Sequence, residues 1–499
     1  MYAYHSICIL LILQKNTSKP NRRTSGVPSK PAPAPVPLLR SRWRPQQLLR
    51  RFHQLLPAPL LAGWLAQSEQ TFYDRAFTPL VSLWYMIFQR LSDNHHLSHV
   101  QEDAREGGAD CLSSPGKRLS ARITSESTSA YSDSRQRLPL LVCLRTLWHT
   151  AQQFSQSFTL PRWFGLQVAL LDGTTYRLRP FLDIPEHFPP HRPGNCKRPP
   201  YWCVVRVVGL LCLATGAVLD SAVGSLKASE QALTAGMLKV RSWAGWLLLG
   251  DRNFGVFSVA CAIVAAQGQA LLRLTQTRAA KLARSCKVKL KPGLDARVTW
   301  TPSRYDQCPE GLAPLPIQGR LVVVRIHRPG FRSLTLYLFT TLLDECHCPT
   351  QDLVRLYAQR WNIEVCFRYI KAHMQLGFLE CHSADMARKE WFAGLIAYNL
   401  IRWTMACAAA TAHVAVPLLS FSRARELLLG WLARSLLHRR SVRSWKRLLT
   451  RISNARLPQR RKRRPSEPRA IRPFRKDRVT LHGSRDAARK RLAKSYAKS

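Results

Sequence analysis

The chain has 499 residues, 46% of them hydrophobic, which is enough to bury a large core and to divide into two or three units, and which excludes a disordered polypeptide. Its 76 Lys and Arg against 29 Asp and Glu leave a formal charge of +47. Such a chain repels itself until a polyanion neutralises it, so nucleic acid leads as partner, and no apolar run is long enough to argue for a membrane.

In chain order, Ile7 to Leu13 form a short apolar run without a basic segment before it or a small-residue cleavage site after it, so it does not read as a signal peptide. The stretch PSKPAPAPVP then reads as an extended, solvated linker, and residues 1–45 are assigned to a disordered leader. Residues 46–160 carry apolar positions at three- and four-residue steps, in LLRRFHQLLPAPLLAGWL, FTPLVSLWYMIFQRL and LPLLVCLRTLWHTAQQF, and are expected to form a helical DNA-binding region.

The character changes at Leu166. GLQVALLDGTTYRLRP predicts a strand that breaks at Asp172-Gly173 and resumes as a hairpin arm. Tyr201 to Ala214 and Ala217 to Ser225 predict two strands joined at Thr215-Gly216, Ser229-Glu230 opens a helix, and WLLLGDRNFG predicts a buried strand ending at Asp251. A helix over VFSVACAIVAAQG and a strand over ALLRLT complete an α/β alternation across residues 161–275. From 276 to 345 the period switches to two, in KVKLKP, ARVTWTP, RLVVVRIH and SLTLYLFTTL, which predicts a β-rich insertion. A long helix is expected after Pro349-Thr350, with further helices to about 450, and the cation-rich residues 451–499 read as a basic disordered tail.

The 14 cysteines lack CxxC spacing, and several lie in apolar runs, as Cys203 and Cys212 do; they read as free thiols of a reducing, cytoplasmic compartment. Cys346, His347 and Cys348 are too close together for an ordinary tetrahedral zinc site.

Three carboxylates stand out. Asp172 and Asp251 each follow an apolar strand, where a side chain can point out of the sheet edge, although an Asp at such a place also serves as an ordinary turn residue. Tyr357, Arg360, Glu364 and Lys371 fall near 0°, 300°, 340° and 320° at about 100° per residue, one narrow stripe of a single helix. A solvated charged face with i to i+4 pairing of Arg360 and Glu364 is the competing reading, but Trp361, Ile363, Phe367 and Ile370 show that the helix is partly buried. Phosphodiester cleavage needs such a set: two divalent ions roughly 3.5–4 Å apart are held by acidic oxygens, with hard ligands favouring Mg2+ or Mn2+. Arg360 and Lys371 suit the flanking phosphates, and Tyr357 a phosphate or a base.

The residues LLDGTT around Asp172, LLLGDRNFG around Asp251 and Y-x2-R-x3-E-x6-K from Tyr357 to Lys371 resemble the DDE transposases of the insertion-sequence 4 group, over about half the chain. The resemblance implies an RNase H-like catalytic core, interrupted by the β-rich insertion and flanked by helical N-terminal and C-terminal regions. It implies nicking at terminal inverted repeats and attack of the freed 3′-hydroxyl on target DNA, with Asp172, Asp251 and Glu364 as ligands of two Mg2+ or Mn2+ ions. It further implies DNA contacts by Tyr357, Arg360 and Lys371, double-stranded DNA (element ends and target) as partner, a homodimer in the DNA complex and a bacterial, nucleoid-associated location. Lys197 and Arg198 in GNCKRPP are added as DNA contacts, against an exposed solvated loop, and Trp300 as a candidate for stacking on a flipped base, against a packing role in the sheet. The alternative is a catalytically inactive DNA-binding protein derived from a transposase, motivated by the leader and tail; a basic RNA-binding protein ranks last, since charge alone argues for it.

Overall fold

The computed structural model describes residues 52, 56–68, 76–112, 118–190, 201–303, 306, 314–326, 334–437, 442–458 and 484–497. The assigned leader, residues 1–45, lies outside the described residues, and so do Lys197 and Arg198. The helical region opens with Ala58–Ala66 (α1), Pro79–Leu91 (α2), Leu97–Arg105 (α3), Ser129–Arg137 (α4) and Leu140–Gln156 (α5). Thr78 caps α2 by accepting the Val81 N–H, and Pro79 sits in the first turn, where a missing N–H costs nothing. This helix is buried almost all round, as its nearly unbroken apolar sequence requires.

The core is built from Gln167–Leu178 (β1), Cys203–Cys212 (β2), Val218–Ser225 (β3), Glu230–Lys239 (α6), Trp246–Gly250 (β4), Phe257–Ala265 (α7), Gln269–Arg273 (β5), Gln276–Ser285 (α8), Asp295–Trp300 (β6), Ile317–Ile326 (β7) and Leu334–Thr340 (β8). Sheet order is β3-β2-β1-β4-β5-β8-β7-β6. The first three strands pair antiparallel, whereas β4 and β5 run parallel to β1. That order and polarity is the RNase H-like core. The β2–β3 hairpin turns at Gly216, whose φ of +70° is the left-handed conformation that glycine adopts without strain.

Residues 276–345 differ from the sequence expectation. Residues 276–345 begin with a helix, because Ala279, Leu282 and Ala283 follow helical spacing and the Thr275 side chain accepts the Arg278 N–H; KVKLKP forms no strand. Three strands, β6, β7 and β8, follow. Antiparallel pairing of β8 with β5 joins them to the core. Arg320 of β7, with no exposed side-chain surface, ties this extension down: it pairs with Asp295 and donates to the Cys348 carbonyl at 2.9 Å, while Asp295 also accepts from Thr350.

From Thr350 the chain is helical, but not as one α-helix. Thr350–Ala358 (α9) passes through a 3-10 turn at Gln359–Trp361 into Asn362–Arg368 (α10), and Tyr369–His373 continue as a π turn. Phe378–Leu379 (β9) then pairs parallel with the end of β1. Ala384–Thr411 (α11) is the central helix. Trp391 stacks on Tyr176 of β1 at 5.0 Å, and Asn399 both donates to and accepts from the Val218 backbone of β3. Glu390 of the same helix is buried between Arg90 of α2 and Arg135 of α4, which bolts the N-terminal helices to the core. Phe421–Leu437 (α12) and Val442–Asn454 (α13) follow. Within the basic tail Arg485–Ala497 (α14) is helical rather than without structure, since Ala, Lys and Arg are strong helix formers and Ser484 accepts the Ala487 N–H.

Candidate active site

Parallel strands β1 and β4 pair Leu170 with Leu249 and Leu171 with Gly250. The next residues on the two segments are Asp172 and Asp251, near enough that Asp251 adds to the upward push on the Asp172 carboxyl. Asp251 stands where the sequence predicts it, just past the end of β4. Asp172 does not end its strand: β1 runs on to Leu178, paired with β2 throughout. The side chain is still reachable because β4 stops at Gly250, so beyond that level β1 has no parallel neighbour until β9 pairs at Arg177.

Glu364 is brought to these two by the fit of α10 onto the sheet. Ile363 and Phe367 are buried, and Phe367 lies over Gly209, the β2 partner of Asp172. A Cβ on Gly209 would lie 3.1 Å from the Phe367 ring, so the bare backbone there sets how closely the glutamate-bearing helix approaches. Glu364 is thereby left on the flank of α10 that faces the strand ends.

Arg360 joins the strand to the helix. Its Nη1 donates to Asp172 Oδ2 at 3.1 Å and its Nη2 to Glu364 Oε1 at 3.2 Å. Burial pushes the Asp172 carboxyl up to about 6; Arg360 opposes this, while Asp251 and Glu364 add to it. Burial also raises Glu364, again opposed by Arg360. The Arg360 guanidinium is held firmly protonated by Tyr357, Asp172, Asp251 and Glu364, although its burial acts the other way. Even with the guanidinium in place, then, a desolvated carboxylate lies beside two others.

The stripe drawn at 100° per residue is bent by the 3-10 and π turns, yet its members remain near the site. Lys371 Nζ donates to Thr174 Oγ1 at 3.3 Å, two residues beyond Asp172 on the same face of β1. Burial and Arg177 lower its ammonium. Tyr357 is only 4% exposed, set behind Arg360 with its hydroxyl pushed up by burial to about 12. Trp300 packs edge-on against Phe257 and Phe339 at 5.9 and 4.8 Å.

A fourth carboxylate escaped the sequence reading. Glu230, noted there only as a helix start, is the first residue of α6, and its Oε2 accepts from Asn253 Nδ2 at 2.5 Å. The available signal was its place at the start of the helix between β3 and β4, which aims a side chain at the strand ends.

Among the described residues no three His, Cys, Asp or Glu side chains stand close enough together to hold a metal ion as they are arranged; positive charge between Asp172 and Glu364 comes from Arg360. No described helix is long and apolar enough to cross a membrane.

Residues 163–400 match the family model described as Transposase DDE domain. The chain is 26% identical over 289 residues to Transposase InsG for insertion sequence element IS4 of Escherichia coli (strain K12), covering 56% of this chain and 61% of that relative. It is 30% identical over 88 residues to "Probable transposase for insertion sequence element IS5377" of Geobacillus stearothermophilus, covering 17% of this chain and 23% of that relative. Among solved structures, the piggyBac transposase in its synaptic complex with hairpin DNA aligns with a TM-score of 0.39 at 11% identity, over 81% of this chain and 85% of that one.

Proposed function

With its residues 163–400 the chain belongs to the DDE transposases of the insertion sequence 4 family, and on that footing we propose that it nicks DNA at the terminal inverted repeats of an element and joins the freed 3′ end to target DNA. The observation that carries the reading is the single guanidinium of Arg360 bonded to both Asp172 and Glu364, with Asp251 on the adjoining strand end.

Asp172, Asp251 and Glu364 are the proposed ligands of two Mg2+ or Mn2+ ions. They offer only hard oxygen donors, which suit divalent cations of this kind. When bound, such ions lower the pKa of an attacking hydroxyl and steady the leaving oxygen of a phosphodiester. The chain's own contribution is positioning. Arg360 offers a planar fork for a phosphate once the carboxylates have other counter-charge, and Lys371, leaning on Thr174, presents a point charge farther along β1. Tyr357, 4% exposed, reaches DNA only by leaving its buried position. Lys197 and Arg198 are assigned to the DNA flank on sequence grounds. The partner is double-stranded DNA, at the element ends and the target, and two copies of the chain are needed to hold two ends, so a homodimer is proposed for the DNA complex.

The test is purified full-length protein with duplexes carrying the element ends. Parent protein is expected to nick them in Mg2+, and Glu364→Ala to lose nicking while still binding the ends. Equal nicking by parent and variant overturns the assignment.

A further inference from the structure

Glu230 and Asn253 stand outside the three signature carboxylates, yet they converge on one of them. Ser229 caps α6 by accepting the Ala232 N–H at 3.0 Å, which sets Glu230 at the tip of the helix facing the strand ends. Asn253 is gripped from this first turn: its Nδ2 donates to Glu230 Oε2 at 2.5 Å, and Gln231 Nε2 donates to its carbonyl oxygen at 2.7 Å and to its Oδ1 at 2.9 Å. Asn253 in turn donates its backbone N–H to Asp251 Oδ1 at 2.7 Å. On the other flank Gly173, next to Asp172, makes room for the same glutamate; a Cβ there would lie 2.3 Å from the Glu230 Cδ.

We propose that Glu230 is a positioning residue, which acts through Asn253 to fix the orientation of the Asp251 carboxylate. Asp251 sits in the turn after β4, where no ladder partner restrains it, so its direction depends on what holds Asn253. A carboxylate ligand works only in a narrow range of orientations, and the groups that set this range account for a large share of metal affinity. The charged groups facing Glu230 are Arg206 of β2 and Asp251 itself. The inference deepens the transposase reading and rests on it for the role of Asp251.

The experiment compares full-length parent with Glu230→Ala, Glu230→Gln, Asn253→Ala, the double alanine variant and Gly173→Ala. Three readouts are taken: Mn2+ binding by calorimetry without DNA, Mg2+-dependent nicking, and end binding in EDTA. Glu230→Ala and Asn253→Ala are each expected to weaken Mn2+ binding and slow nicking by about 10–100-fold, with end binding unchanged. The double variant is expected to be no worse than the weaker single, because both changes cut one chain of hydrogen bonds. Glu230→Gln keeps an oxygen that accepts from Asn253, so it is expected to stay close to parent. Gly173→Ala, whose methyl displaces the glutamate without removing it, is expected to copy Glu230→Ala, which guards against loss of a fold in any one variant. Parental Mn2+ affinity in Glu230→Ala or Gly173→Ala, additive losses in the double variant, or equal damage from Glu230→Gln and Glu230→Ala overturns the proposal. A parent that never nicks in Mg2+ defeats the transposase reading instead, and the Mn2+ affinities still judge Glu230.

Discussion

Arg360 Nη1 stands 3.1 Å from Asp172 Oδ2, joining a strand to a helical turn 188 positions away in the chain. The contact places a permanent positive charge between Asp172 and Glu364 and makes Arg360 a structural clamp between strand and helix.

Arg360→Ala leaves Asp172 and Glu364 without their shared donor. The expected result is a loss of about 2 kcal/mol in stability by denaturant titration, the size of a charge-assisted hydrogen bond. A fall in nicking of about 100-fold is expected alongside it, as for removal of one preorganised donor. Arg360→Lys should recover part of the stability but little of the nicking, since one ammonium cannot grip a phosphate with two parallel bonds. Parental nicking by the lysine variant would rule out the fork.

Asp172 makes the fold sensitive to pH. Its folded value of about 6 lies above the value of about 3.9 in an unfolded chain. The folded state therefore binds the proton more tightly, and stability is lost as pH rises through this window, with the loss complete above the folded value. In EDTA, Asp172→Asn should exceed the parent by roughly 2–3 kcal/mol at pH 7 and match it below about pH 4. Equal melting temperatures at pH 7 would contradict the raised carboxyl.

Glu390 tests how the N-terminal helices are attached. Its carboxylate is buried between Arg90 and Arg135, and these two guanidinium groups hold its pKa below the usual carboxylate range against the effect of burial. Glu390→Ala strands two buried cations and should cost about 3–5 kcal/mol. Proteolysis between the helical region and the core should become faster in this variant; an unchanged cleavage pattern would show that the bolt is dispensable.

The charge of +47 predicts steep salt dependence of DNA binding. Helix α13 buries Trp445, Leu448 and Ile452 and exposes Arg443, Lys446, Arg447 and Arg451. If all four meet phosphates, replacing them with alanine lowers the slope of log K against log salt by about 3.6, near 0.9 per contact. Truncation after Arg456 should lower it further while end preference survives. Filter binding from low to moderate salt measures both, and unchanged slopes would remove α13 and the tail from the interface.

Much of the site was legible because its residues carry local marks. The apolar run WLLLG announces a buried strand, and Asp251 is the first residue that cannot remain in it. The spacing from Tyr357 to Lys371 announces a helix with one charged flank, and Arg360 and Glu364 do share that flank. Pitch was not legible: whether turns at 359–361 and 369–373 tighten or widen depends on how Trp361, Phe367 and Ile370 seat on the sheet. Glu230 was invisible for a similar reason, because a glutamate opening a helix is ordinary until a glycine on another strand makes room for it.

By itself, the sequence determined the α/β alternation over residues 161–275, the apolar strands that lead to Asp172 and Asp251, the Glu-bearing helical segment and a charge that calls for a polyanion. These follow from periodicity and composition, which are properties of neighbours along the chain. Tertiary structure alone decided that β1 passes through Asp172 without ending, that β6 to β8 extend the core sheet, and that Arg360 stands between two carboxylates. Those outcomes depend on strand register and on the closeness of backbones at Gly173 and Gly209, quantities that exist only once distant segments have packed.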